Sequence, residues 1–150
     1  MIKQQMMIDD DGQEVGQQYA ALPFRDREGL EILLITSRET QRWVIPKGWP
    51  MERKTAAGAA ATEAWEEAGV KGEVTETAIG AYRYEKVLKK GESLRCRVDV
   101  FPLRVLVQTI SWPESDQRTL QWFKPNEAAD AVAEPELAEL IRAFTPPVRF

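Results

Sequence analysis

The sequence predicts an α/β sandwich built on a mixed β-sheet. Apolar runs bounded by turn residues recur along most of the chain, the clearest being Leu30–Thr36. Residues 55–68 instead keep small apolar side chains at helical spacing, and a second helical pattern begins at Pro135. Many strands with one central and one terminal helix imply a sheet covered by helices on its faces.

In chain order, residues 1–15 are polar around the turn signal Asp9-Asp10-Asp11-Gly12 and are expected to form a flexible N-terminal tail, leaving 16–150 as a single domain. Residues 19–24 read as a strand, 25–29 as a hairpin turn and 30–36 as a buried strand. Residues 43–45 form a short strand stopped by Pro46, and 48–54 a loop. Residues 55–68 form a helix, with Thr55 as N-cap and Gly69 as terminator. Its Ala57, Ala60, Ala61, Ala64 and Ala68 lie on one face, which lets the helix approach a sheet closely. Residues 74–88 and 94–107 are strands around a Lys89-Lys90-Gly91 turn, and 118–123 is another. A short helix begins at Asn126. Pro135 suits the first turn of the last helix, whose core face is Leu137, Leu140, Ile141 and Phe144.

Composition narrows the chemistry. The chain has 150 residues, enough for one domain with a real core. It contains no histidine, which removes Ser-His triads, His-ligated zinc and imidazole acid–base catalysis. The single cysteine, Cys96, excludes an internal disulfide and suits a cytoplasmic setting. No apolar run reaches the roughly 20 residues needed to span a bilayer, and residues 1–18 lack the apolar stretch of a secretion leader. A net charge of −4 argues against nucleic acid as the main partner and against binding to an anionic membrane. The span 83–104 departs from this balance, with seven basic residues against three acidic ones. It reads either as a solvated hairpin or as a site for a polyanion.

The central helix carries Glu63, Glu66 and Glu67, spaced so that they share a face away from the alanines. Like charges so placed repel by a few tenths of a kcal/mol per pair, and no basic residue within the helix offsets them. Taken alone, such a face is usually solvated. The alternative is that a hard divalent cation neutralises it.

The context favours the cation. Residues 48–70 read G-W-P-M-E-R-K-T-A-A-G-A-A-A-T-E-A-W-E-E-A-G-V. This resembles the Nudix box, with Gly48, Glu63, Ala64, Glu66, Glu67, Gly69 and Val70 in register. Residues 42–48, R-W-V-I-P-K-G, and 118–123, R-T-L-Q-W-F, resemble the flanking segments of the diphosphoinositol and diadenosine polyphosphate hydrolase branch. The resemblance implies a Nudix fold, an α/β/α sandwich, and Mg²⁺- or Mn²⁺-dependent hydrolysis of a phosphoanhydride in a small phosphorylated molecule such as a diadenosine polyphosphate, by a monomer or homodimer.

By the same resemblance, Glu63, Glu66 and Glu67 form the metal and catalytic set, with Glu66 as the base and the Lys47 carbonyl as a backbone metal ligand. Ser37, Arg38, Lys47, Gly48 and Arg118 match substrate-binding positions. Two box positions depart: Lys54 replaces a glutamate, and Thr62 replaces an arginine that anchors the neighbouring glutamates. Looser glutamates, or support from another residue, are expected. Gln17, Gln18, Tyr19 and Glu134 stand where the diphosphoinositol branch has basic residues, which weakens that substrate. An RNA 5′-end substrate and a Nudix-fold binding domain without catalysis are the other readings. Trp43, Trp65 and Trp122 are expected in the core, whereas Trp49 and Trp112 lie in loops and are candidates to stack on a base.

Overall fold

The computed structural model describes residues 5–38 and 40–148. Its elements are β1 (Met6–Ile8), β2 (Glu14–Asp26), β3 (Leu30–Thr36), β4 (Trp43–Val44), β5 (Lys47–Gly48), α1 (Ala56–Ala68), β6 (Val70–Val74), β7 (Gly80–Val87), β8 (Ser93–Gln108), β9 (Leu120–Phe123), α2 (Pro125–Ala131) and α3 (Pro135–Ala143). Among the described residues, nine strands make one sheet with the path β4-β3-β2-β8-β6. The pairing of β2 with β8 is parallel and the others are antiparallel, so the sheet is mixed. Among the described residues no helix is long and apolar enough to cross a membrane.

Two long strands organise everything else. Along its 13 residues β2 pairs in turn with β1, β5 and β3 on one side while running beside β8 on the other. Its side chains alternate between faces with the period of two that a strand imposes. Ala20, Leu22 and Phe24 join Ile32, Leu34, Val98 and Val100 in a core covered by α2 and α3. Ala21 joins Leu33, Ile35, Phe101 and Leu103 in a second core beneath α1. The expected α/β/α sandwich follows from this alternation.

Helix α1 is buried through Ala57, Ala59, Ala60, Ala64 and Ala68. Ala61, expected on that face, is only half-buried, and Ala59 takes its place. The expected termini hold. The Thr55 hydroxyl accepts from the Gly58 N–H at 3.0 Å, and Gly69 adopts φ 68°, a left-handed conformation that glycine enters without a Cβ clash.

Three expectations are corrected. The tail over 1–15 is not structureless: Met6–Ile8 pairs with β2, and Asp9 is only 5% exposed. Arg83 donates to both Asp9 carboxylate oxygens, at 2.8 and 3.0 Å, and Arg97 approaches at 3.4 Å. The Arg83 guanidinium holds the Asp9 carboxyl well below the usual carboxylate range. Residues 1–4 lie outside the described residues. Second, the strand expected over 74–88 is two strands. Gly69 leads straight into β6, and the chain leaves the ladder at 75–79, where the Thr75 and Ile79 N–H groups bond to Pro102 and Val100 carbonyls. Third, Gly48 is not in a loop, because Lys47–Gly48 pairs with Ala20 and Tyr19.

Replacing Asp9 with Ala leaves two arginines without their buried counter-charge. Thermal unfolding is expected at a lower temperature, with a loss of about 2 kcal/mol. An unchanged midpoint would show that the pairing adds nothing to stability.

Candidate active site

The carboxylates of α1 sit at the edge of its buried face. Glu63 and Glu67 line a cleft of about 630 Å³, and Glu67 is only 7% exposed. The two carboxyls lie within hydrogen-bonding reach of each other, a contact that raises Glu63 and lowers Glu67. Burial first, and then the Glu67 charge, pushes the Glu63 carboxyl up to about 9. Burial also raises Glu67, opposed by Arg118, by the Glu63 hydrogen bond and by Lys47. Gly48 leaves room beside them, since a Cβ there would push the Glu63 carboxyl aside.

The β8–β9 connection closes the site through the end of the helix. An α-helix leaves its last carbonyls without intrahelical partners, and α1 has no basic residue in its last turn. The connection satisfies them. Glu114 N–H donates to the Glu66 carbonyl at 3.0 Å, Trp112 Nε1 to the Glu67 carbonyl at 3.1 Å, and Thr109 N–H to the Gly69 carbonyl at 2.9 Å. The Trp112 ring lies against Gly69. Fastened in this way, the segment brings Glu114 and Arg118 to the cleft. Arg118 is 9% exposed and its donors are committed: Nε to Glu114 at 3.0 Å, one terminal nitrogen to the Thr36 carbonyl at 3.0 Å, and the other 3.5 Å from Glu67.

Arg118 therefore supplies the anchoring that the box arginine would give. Thr62, at that arginine's position, returns its hydroxyl to the Gly58 carbonyl at 3.0 Å and lines a different groove with Trp65 and Lys71. Arg118 matched a substrate contact by resemblance. In the structure it lines the cleft while holding two carboxylates.

Ser37, Arg38, Lys47 and Gly48 also line the cleft. Ser37 closes the 37–42 turn by bonding to Arg42 through its N–H at 2.7 Å and its hydroxyl at 3.1 Å, and it contacts Thr40. Arg38 is exposed, with one long bond of 3.4 Å to Gln117. The Lys47 ammonium stands 4.7 Å from the centre of the Tyr84 ring, and burial lowers its basicity. Glu66 is not among the cleft residues, although its carbonyl receives Glu114. Trp49 lines the cleft, whereas Trp112 caps the helix. Trp43, Trp65 and Trp122 are each half-buried rather than fully enclosed.

The basic excess of 83–104 resolves residue by residue. Arg83 and Arg97 are spent on Asp9 and its neighbours, and Arg104 bonds to the Pro147 carbonyl and lies over Phe24. Lys86 lines the cleft. Sequence reasoning missed Glu114 and Tyr84 as cleft residues. Glu114 sits four residues before Arg118 in a segment without helical or strand periodicity, so no spacing rule marks it.

The donors suit Mg²⁺ or Mn²⁺. Both take oxygen ligands, and Mg²⁺ keeps water and substrate phosphate in its shell. Burial disfavours the ionised form of both adjacent carboxylates, and a divalent cation would offset that penalty. Among the described residues no three acidic or cysteine side chains converge as a ready-made cage. A cation here would complete its shell with backbone oxygen, water or substrate.

These features define a class: an α/β/α protein that presents helix-borne carboxylates to a cation-lined cleft. A family model described as NUDIX domain matches residues 17–144, and the chain belongs to the Nudix family. Nudix hydrolase 13, mitochondrial, of Arabidopsis thaliana is 33% identical over 109 residues, covering 67% of this chain and 52% of that protein. Human diphosphoinositol polyphosphate phosphohydrolase 3-beta is 33% identical over 112 residues, covering 73% and 64%. The chain thus matches about half to two thirds of the length of these relatives. The Caenorhabditis elegans Ap4A hydrolase crystal structure superposes with a TM-score of 0.61 at 20% identity, over 85% of this chain and 94% of that one. Dihydroneopterin triphosphate pyrophosphohydrolase of Escherichia coli gives 0.68 at 16% identity, over 85% and 93%. At such identities the likeness concerns the fold, and the fold is Nudix.

The raised Glu63 carboxyl makes the cation-free protein sensitive to pH. Below its ordinary value of 4.5, folded and unfolded chains both carry the proton. Between 4.5 and about 9 the unfolded chain releases it and the folded chain keeps it, so stability falls as pH rises through this window. In chelator, the unfolding midpoint should drop from pH 6 to pH 8.5, and less steeply in Glu63→Gln. Parallel slopes would remove Glu63 as the cause.

Proposed function

We propose that the chain is a divalent-cation-dependent hydrolase that splits a phosphoanhydride in a nucleoside polyphosphate-type substrate, such as a diadenosine polyphosphate. The observation that carries this reading is the Glu63–Glu67 pair, with Glu67 buried and held by Arg118, facing a cleft lined by further cations. Phosphates are polyanions that need positive partners, and Arg38, Arg42, Lys47 and Lys86 supply them beside the carboxylates. When bound, a divalent cation neutralises phosphate charge and activates water.

The chain's own residues divide the remaining work. Glu63 and Glu67 would hold the cation once both are ionised, and the Lys47 carbonyl would add a backbone oxygen. Arg118 keeps Glu67 and Glu114 in place. Arg38 and Arg42 would receive the outer phosphates. Glu66, which the box marks as the base, stands off the cleft, whereas Glu114 is on it. We assign to Glu114 the proton from the attacking water, as a positioned general base.

Diphosphoinositol polyphosphate is a second reading, favoured by the 33% identity to the human protein that carries that name. Gln18 and Glu134 in the cleft speak against a densely phosphorylated ring.

The assay is Mg²⁺- or Mn²⁺-dependent hydrolysis of diadenosine polyphosphates, nucleoside diphosphate sugars and a diphosphoinositol polyphosphate. Turnover of one class, abolished in Glu67→Gln, is the expected result. No turnover of any compound would point to a binding domain that does not catalyse. For the base, Glu114→Gln should lower kcat by about 100-fold or more while Glu66→Gln lowers it less. The opposite order would return the role to Glu66.

A further inference from the structure

Glu134 occupies the N-cap position of α3, yet its side chain makes no capping bond to that helix. It lines the cleft instead, and its Oε1 is shielded from solvent with no hydrogen-bond partner among the described residues. A carboxylate oxygen in that state is costly and calls for a donor. The neighbouring polar groups do not supply one. The Tyr84 hydroxyl donates to Gln18 Oε1 at 2.7 Å, and the Lys47 ammonium stands over the Tyr84 ring. The Arg83 N–H bonds to Glu136 at 2.8 Å, which sets the start of α3 beside the strand that carries Tyr82 and Tyr84, and Glu134 and both tyrosines line the same cleft.

The donor is left to water, or to a ligand group that displaces it. A phosphate brings only acceptors, so it cannot supply that donor, and its charge is met by Lys47 and Lys86 elsewhere along the cleft. A flat group bearing N–H on its edge fits: it satisfies the carboxylate, and the half-buried tyrosine beside it suits an aromatic ring. We infer that Glu134 is a specificity-determining residue that accepts an N–H from the nucleobase of the substrate, so that the base lies in the Gln18–Tyr84–Glu134 corner while the phosphates lie toward Glu63 and Glu67. This rests on the nucleotide reading above. It adds which residue reads the base.

The test uses binding rather than turnover, so that it stands apart from the hydrolysis assay. AMP, GMP and ribose 5-phosphate are titrated calorimetrically into the full chain with Mg²⁺, for wild type, Glu134→Ala and Glu134→Gln. In wild type at least one of the nucleotides should bind about tenfold or more tighter than ribose 5-phosphate. Glu134→Ala should lose most of that advantage with ribose 5-phosphate little changed. Glu134→Gln, which keeps the shape and one acceptor oxygen, should lose less, and it serves as the test if the alanine variant does not fold. Equal binding of all three ligands by wild type overturns the inference. So does a nucleotide advantage that survives in both variants. Hydrolysis of the nucleotide panel alongside either of those results would leave the enzymatic reading intact and remove only the role of Glu134. Loss of the advantage in the variants with no hydrolysis would do the reverse.

Discussion

The repulsion between Glu63 and Glu67 sets the terms for much of this molecule. The two carboxylates are brought together because α1 lies close to the sheet on a face of alanines, and closeness leaves little water to screen them. In such surroundings the charged form is disfavoured, and one carboxyl keeps its proton at neutral pH. Arg118, itself nearly enclosed, offsets the remaining charge, and Lys47 adds a weaker contribution. A larger residue at Gly48 would displace Glu63, so the short strand β5 is bound to the same requirement. The helix face, the glycine and the buried arginine answer one electrostatic demand.

Much of this was legible in the sequence where a local rule governs. Thr55 and Gly69 bracket α1 because capping depends on a hydroxyl and on the left-handed region, both of which are properties of single residues. Leu30–Thr36 was legible because an apolar run between turn residues has few alternatives. The alternation in β2 separates the two cores without any distant information. Glu63 and Glu67 were singled out by the resemblance to the Nudix box, since their spacing alone reads as a solvated helix face.

What escaped depends on contacts between segments far apart in the chain. Met6–Ile8 has little strand signal of its own, and it is held in place by Asp9 meeting arginines that arrive 74 and 88 residues later. The position of Glu66 off the cleft follows from the rotation of α1 against the sheet, which spacing alone does not fix. The basic excess in 83–104 suggested an anion site, but ion pairing had already consumed Arg83 and Arg97. Net charge by segment cannot distinguish a free cation from a paired one.

The fastening of the β8–β9 connection has a consequence for how such a site diverges. The connection grips α1 through main-chain carbonyls of Glu66, Glu67 and Gly69, groups that every residue type possesses. The side chains between and just after the gripping points, at Ile110, Ser111, Pro113, Ser115 and Asp116, take no part in those bonds. That stretch can change its composition by mutation while Glu114 and Arg118 stay where they are. None of these side chains lines the cleft, so the connection can drift in sequence while the cleft keeps the same two residues from it.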